Sequence, residues 1–374
     1  MRFMSLIGKN VLNRPVRTAL TAIGLSVAIA AVIVLVGISV NFERSFLAIY
    51  RSKGIDMIVV HAGSSNQLSS SLDVRLADRL RKIDGVADVA PTLVDTVGFE
   101  DKGLASVLVD GWEPESLLFK GIRILSGRPL RRGDDHSALL GRVLAMNLDK
   151  KAGDTLSVSG ESFQVVGIFE SDSLFENGAL VVPLQTLQKM MGREGQATGL
   201  VISAKASDRA SLDALRKRIE SEVSGVAATP ARDYVIADTQ IRLAKSMSWT
   251  TAVVAMILGA VGMLNTMLMS IFERTREIGL LRAVGWRRTR VLALVLGEAM
   301  VIAMAGTVIG GVLAVLGLRA LMLSPTARGF IEPNIPPEVF GVALIMGLGL
   351  SLLGGLYPAA RAAGLDPTEA LRHE

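Results

Sequence analysis

The chain divides by its pattern of apolar and polar positions into two kinds of sequence. Residues 19–40, 249–272, 291–323 and 339–357 are continuous apolar runs. Three contain no charged residue, and the third holds only Glu298 and Arg319. Each run is long enough, as a helix, to cross a hydrocarbon layer of about 30 Å. Residues 41–246 lack such runs and alternate short β-type stretches with helical periodicity. IDMIVVHA (55–62), VADVAPTLVDTVGF (86–99) and LASVLVDGW (104–112) predict strands, and 153–171 predicts a hairpin with alternating apolar residues. DVRLADRLRKI (73–83) predicts a helix that stops near Gly85. A second helix is predicted over 208–223, with Leu212, Leu215 and Ile219 on one face. Segment 224–247 is expected to lead back to the membrane as a helix.

The fold class expected is therefore a membrane α-helical bundle of four transmembrane helices. A large α+β extracytoplasmic domain is inserted between helices 1 and 2. The domains are 1–40 (an N-terminal interfacial helix and the first span), 41–246 (the α+β domain) and 247–374 (the last three spans). The middle domain is expected to have a βαβ-type frame carrying a β-rich subdomain at about 118–195. Phe3, Ile7 and Val11 recur at helical spacing, which suits a helix lying along the membrane surface. The first apolar run exceeds the roughly 7–15 residues of a signal-peptide core, and no small-x-small site follows it. It is expected to be an uncleaved anchor. Gly306 and Gly310 in the third run form a small-xxx-small pair, which predicts close helix packing.

Charge adds orientation. Residues 1–40 carry Arg2, Lys9, Arg14 and Arg17 and no acid, whereas 41–246 balance 26 basic against 27 acidic groups. Loop 273–290, ERTREIGLLRAVGWRRTR, has six arginines against two glutamates. Excess Arg in a short loop keeps that side cytoplasmic. Both termini are then cytoplasmic, the loop at 324–338 lies outside, and the tail 358–374 lies inside. Within the arginine loop, Glu277 to Gly285 reads as a short amphipathic helix, with Ile278 and Leu281 on one face and Arg276 and Arg282 elsewhere. Trp286 reads as an interfacial anchor. The net charge of +5 follows the membrane-flanking segments, so no nucleic-acid-binding face is indicated.

Composition narrows the chemistry. Half the residues are hydrophobic, mean hydropathy is +0.44 and there is no cysteine, which excludes disulfides and thiolate sites. No phosphate loop, HExxH or nucleophile elbow occurs. Asp134 and Asp135 beside His136 sit in RRGDDHS, which reads as a polar turn rather than a metal site. The chain is expected to be non-catalytic, with no cofactor or metal of its own. Glu298 is the one carboxylate inside a span, where an acid costs roughly 2.5–3.5 kcal/mol at the centre. An ion relay is one reading. The favoured one is an interhelical partner near the cytoplasmic third, with Ser, Thr or Asn265.

The order of one span, a large outer domain and three spans, with the arginine loop after the second span and PAARAAGLDPTEALRHE after the fourth, resembles the permease subunits of MacB/FtsX/LolC-type (type VII) ABC transporters. IDGVADVAP and GRPL…AGDTLSVSGESFQVVGIF fit the periplasmic core of that family. The resemblance implies a bacterial inner-membrane permease that transmits the work of a cytoplasmic ABC ATPase to its periplasmic domain, driving efflux of a hydrophobic, lipidic or peptide substrate. ATP and Mg would be bound by that separate ATPase subunit. The other implied partners are a second permease copy (a homodimer, or a heterodimer), a periplasmic adaptor and membrane lipids. Carried onto this sequence, the coupling helix comprises Arg276, Glu277, Ile278, Gly279, Leu281, Arg282, Ala283 and Gly285. The alternatives within the resemblance are an FtsX-like regulator of a cell-wall hydrolase and a LolC-like lipoprotein-release permease. In the tail, Asp366, Pro367 and Glu369 are placed to cap a short helix.

Overall fold

The computed structural model describes residues 15–64, 67–99, 102–323 and 334–366. The surface helix expected around Phe3 to Val11, most of loop 324–338 and the helix after Asp366 lie outside these residues. The chain forms two compact units, one holding the membrane helices and the other residues 41–243.

Among the described residues, four helices are long and apolar enough to cross a membrane. They are α1 (Pro15–Lys53), α8 (Thr239–Glu273), α10 (Arg288–Leu321) and α11 (Pro337–Gly364), with the short α9 (Thr275–Ala283) between the second and third. Their outward surfaces stay apolar: Ile257, Val261, Val308, Val312, Ile345 and Leu353 are all exposed. A helix apolar on every side is at home in lipid rather than water. Their inward surfaces form one core that includes Leu25, Ile29, Ile33, Met263, Ile302, Ala303, Ala343 and Leu350. Small residues let the backbones approach. A Cβ added at Gly310 would lie 2.8 Å from the Ser26 carbonyl oxygen and 3.1 Å from the Ile29 side chain, and one at Gly306 would lie 3.0 Å from Leu25. Gly306 and Gly310 thus seat α1 against α10. Gly355 lies equally close to Ala299, which seats α11 against α10.

Two helices run well past their apolar cores. α1 has 39 residues, so at about 1.5 Å per residue it is about 58 Å long. Its last residues, Asn41–Lys53, belong to the second unit. α8 starts ten residues before its apolar run, where Asp238 caps it by accepting hydrogen bonds from Gln240 N (2.9 Å) and Ile241 N (3.2 Å).

The second unit is built on one mixed sheet. Its strands are β1 (Met57–His61), β3 (Val86–Phe99), β4 (Leu104–Trp112), β5 (Ile122–Gly127), β6 (Ser137–Gly141), β7 (Thr155–Val158), β8 (Glu161–Ser171), β9 (Leu180–Pro183), β11 (Gly199–Ala204) and β12 (Val226–Pro230). They lie in the order β12-β1-β11-β3-β4-β9-β6-β8-β5, with β7 paired to β8. A separate two-stranded pair joins β2 (Leu72–Asp73) to β10 (Gln196–Ala197). The unit's helices are α2 (Leu76–Leu80), α3 (Arg142–Leu148), α4 (Leu174–Asn177), α5 (Leu184–Met190), α6 (Arg209–Glu222) and α7 (Ala231–Ala237).

The first four strands of that order form two interleaved split βαβ units. β1 and β3 are both antiparallel to β11 and are joined through α2, while β11 and β12 are both antiparallel to β1 and are joined through α6. The chain between β4 and β9 supplies the other end of the sheet, attached through the parallel β4–β9 pair. Alternation along β1 sends Met57 and Val59 to a core with Leu80, Leu215 and Ile219, and Ile58 and Val60 to the opposite core with Trp112, Phe169 and the end of α1. The predicted hairpin closes at Ser159 and Gly160, both with positive φ (50° and 87°), as a two-residue type I′ turn requires.

Two local expectations are corrected. The helix expected over 73–83 is only Leu76–Leu80, because Asp73 pairs in β2 and the chain turns at Lys82–Gly85. Segment 224–247 is not one helix. Val226–Pro230 forms an edge strand on β1, Pro230 precedes α7, and the chain breaks at Asp238 before α8. Val226 and Thr229 favour extended backbone, and this tertiary pairing sets the outcome.

Candidate functional site

The arginine loop folds as a helix between two breaks. Arg274, at φ −115°, interrupts the helical path after α8, and the Thr275 hydroxyl donates to the Ile271 or Phe272 carbonyl. At the far end Gly285 takes φ +99°, which closes the last turn with Gly285 N donating to Arg282 O and Trp286 N to Leu281 O. Nine helical residues have little stability alone. Packing supplies it: Ile278, at 4% exposure, sits among Ile271, Val291, Val295, Ala359, Ala362 and Ala363. Gly279 is buried beside it.

A buried ion pair fixes the start of the loop. Arg274 Nη1 lies 3.0 Å and 3.3 Å from the two carboxylate oxygens of Glu298 on α10, and Arg274 Nε lies 3.0 Å from Glu277. The Arg274 and Glu298 side chains are 14% and 9% exposed. Glu298 therefore takes a cation from the loop as its partner. Asn265, expected in that role, lies on the exposed side of α8. An acid near the end of a span is satisfied more completely by a guanidinium than by an amide, because the guanidinium supplies opposite charge as well as donors.

The remaining sequence-predicted residues sort by exposure. Arg276, Glu277, Ala283 and Gly285 are exposed, Leu281 and Arg282 are half-buried, and Ile278 and Gly279 are buried. Of the apolar pair that the sequence places on one face, Ile278 is buried against the chain's own helices and Leu281 is half-buried. An amphipathic face next to a membrane bundle finds that bundle first. The apolar side chains left outside are Leu280 and Val284, 49% and 81% exposed and one turn apart. With Arg276 and Glu277 they give an apolar ridge flanked by charge. Half-buried Arg282 donates to Trp286 O at 3.5 Å, and among the described residues its Nε has no hydrogen-bond partner. Trp286 packs at the edge of the buried cluster, under the Arg290 guanidinium at 4.5 Å. Sequence periodicity missed Leu280, Val284 and the role of Arg274. The available signal was the arginine beside a span that faces an intramembrane acid.

In the outer unit, Asp134 is engaged within its own turn. Both carboxylate oxygens accept from Arg128 (2.5 and 2.9 Å), and Arg131 N donates to one of them. Arg128 holds the Asp134 carboxyl below the usual carboxylate range. This is the polar turn that the sequence suggested.

The chain matches the MacB-like periplasmic core domain family over residues 18–222 and the FtsX-like permease C-terminal family over residues 249–367. It is 28% identical, over 390 residues, to the macrolide export ATP-binding/permease protein MacB of Nitrobacter winogradskyi, covering 96% of this chain and 58% of that protein. It is 27% identical, over 270 residues, to an uncharacterized ABC transporter permease of Methanocaldococcus jannaschii, covering 68% of this chain and 66% of that one. The chain thus spans less than two thirds of the length of its MacB relative. Among solved structures, the periplasmic region of MacB from Actinobacillus actinomycetemcomitans aligns with a TM-score of 0.39 and 16% identity, covering 50% of this chain and 94% of that one.

Proposed function

We infer that this chain, which belongs to the MacB/FtsX-type family of ABC permeases and is a multi-pass inner-membrane protein, couples ATP hydrolysis on a partner ATPase subunit to motion of its own periplasmic domain. The reading rests chiefly on α9, a short helix held to the bundle by Arg274–Glu298 and Ile278 while its Leu280–Val284 ridge stays outside. A partner groove that took this ridge would push on α8 and α10, because α9 is joined to α8 through the single residue Arg274, to α10 through the four residues 284–287, and to the bundle by a buried core. Apolar knobs within a charged rim form a common core-and-rim interface. In this reading ATP and Mg are bound by the ATPase and the permease itself is non-catalytic. The arginine loop and both termini are cytoplasmic, as the excess of arginine supports.

The exported class that suits the chain is hydrophobic, lipidic or peptide. The spans present apolar surface with little paired charge, which favours moving the periplasmic domain over opening a polar channel through the membrane. A second permease copy would complete the machine, and a periplasmic adaptor would receive the cargo. The test is the pair of substitutions Leu280→Asp and Val284→Asp. Each variant should insert normally, yet co-purify less ATPase and lose cargo-dependent ATP hydrolysis. Unchanged ATPase capture and turnover in both would remove α9 from the coupling role.

A further inference from the structure

A lysine ammonium rarely sits at 1% exposure, yet Lys53, the last residue of α1, does so in the outer unit. Its Nζ donates to the Leu118 carbonyl at 2.5 Å and to the Lys120 carbonyl at 3.4 Å, and lies 3.2 Å from Glu176 Oε1. It also stands 4.4 Å from the ring centroid of Trp112 on β4. Glu176, on α4, is 3% exposed, and its other oxygen accepts from the Ser171 hydroxyl at the end of β8. The carbonyl acceptors precede β5. One ammonium thus ties the end of α1 to β4, to the approach to β5 and to α4.

The rest of this helix end is held differently. Phe42 and Phe46 pack edge-on and tilted against Phe175, with ring centroids 4.8 Å and 4.4 Å apart, Tyr50 lies in the Trp112 core, and Ser45 Oγ accepts from Leu174 N at 2.8 Å. The ring contacts supply non-directional adhesion, and the directional Ser45 bond lies about two turns before the helix end. A buried cation with fixed acceptors permits one register. Burying an ion pair is also a poor way to gain stability, because desolvation offsets most of the attraction. Stability alone therefore does not account for a lysine here where a methionine would fit.

We propose that Lys53, paired with Glu176, is a positioning residue that keys the end of α1 to the periplasmic sheet, so that displacement of the helix moves the domain instead of sliding past it. This deepens the coupling reading above and rests on it.

The chain has no cysteine, so spin labels can be placed without background. Two positions suit: exposed Met146 on α3, and Gly341 on α11, where an added Cβ meets nothing within 4 Å. The full chain carrying Met146→Cys and Gly341→Cys is assembled with its ATPase in nanodiscs and diluted with unlabelled copies. Pulsed electron paramagnetic resonance then reads the label separation without nucleotide and after trapping with ATP and vanadate. Lys53→Met alone strips the cation from a buried Glu176 and is expected to lower thermal stability. The informative variant is Lys53→Met with Glu176→Gln, which removes both charges at nearly constant volume. It should melt at or above the wild-type temperature, show a broader resting distance distribution, and lose the ATP-driven shift. A wild-type shift in the double variant overturns the key while leaving the coupling reading intact. A double variant that unfolds also overturns it, by showing that the pair holds the fold together. Absence of any shift in the wild-type chain overturns the coupling reading, and the key with it.

Discussion

Replacing Arg274 with Met and Glu298 with Leu, singly and together, tests whether the arginine loop is locked to the bundle by charge. The pair is nearly closed to solvent (14% and 9% exposed) and Arg274 Nη1 reaches both carboxylate oxygens. Removing one partner from such a pair costs about 3–5 kcal/mol, because a charge stays behind in a poorly solvated site. The two single variants should differ. Arg274→Met strips the guanidinium from a carboxylate on a membrane helix and belongs at the upper end of that range. Glu298→Leu leaves Arg274 with Glu277, which is 65% exposed at 3.0 Å, so the residual cation is partly hydrated and the loss should be smaller. The double variant has no charge left to desolvate and should return to within about 1 kcal/mol of wild type. Reversible unfolding of the purified chain in mixed micelles, titrated with denaturing detergent, gives the four free energies of the cycle. The expected coupling, the two single losses less the double, is about 6–8 kcal/mol. A coupling below about 0.5 kcal/mol would mean that the pair is incidental and that Ile278 packing alone holds the loop.

Two further outcomes follow from the packing and the charges. Gly310→Leu should destabilise the membrane unit by about 1–3 kcal/mol, because its Cβ would meet the Ser26 carbonyl at 2.8 Å; the same detergent titration measures it, and Gly317→Leu, at an open position, is the control. Asp110 on β4 is half-buried beside Glu176; burial and the Glu176 charge push its carboxyl up to about 7 against the pull of Lys53. Its unfolded value is 3.8, so between about pH 4 and pH 7 the folded state holds a proton that the unfolded state has released. Stability from this group is therefore complete below about pH 4 and falls by at most about 1.4 kcal/mol per pH unit as pH rises toward 7. Asp110→Asn should flatten that slope, read by Trp112 fluorescence with Trp249 and Trp286 replaced by Phe. A slope unchanged by the substitution would assign the effect elsewhere.

Much of this architecture is written in local pattern. A run of twenty apolar residues has few alternatives to a membrane helix, and the Gly306–Gly310 spacing places two notches on one face whatever the neighbour is. The hairpin at 155–171 is likewise local, since alternation and Ser159–Gly160 specify it together. The residues that proved hard to read depend on partners distant in sequence. Lys53 looks like a solvated charge at the end of a helix, and only folding brings Glu176 and the Leu118 carbonyl around it. Arg274 reads as one of six orienting arginines, and its acid is 24 residues away. Leu280 and Val284 are hard to read for a similar reason: periodicity gives the apolar stripe but does not say whether it serves the chain's own bundle or another protein. Segment 224–247 is not legible locally because an edge strand is decided by the strand it joins.

The thirteen residues of α1 from Asn41 to Lys53 also bear on where the periplasmic domain begins as a separable object. A boundary drawn at the end of the apolar run and one drawn at the end of the helix yield different proteins. A fragment starting at Gly54 discards Phe42, Phe46 and Tyr50 from the Trp112 core and removes the cation that faces Glu176. It would present an open apolar trough and be prone to self-association. A fragment from Asn41 to Leu243 keeps its own lid and its own counter-charge. For this chain the natural seam lies inside a continuous helix rather than in a loop, and soluble studies of the domain should cut there.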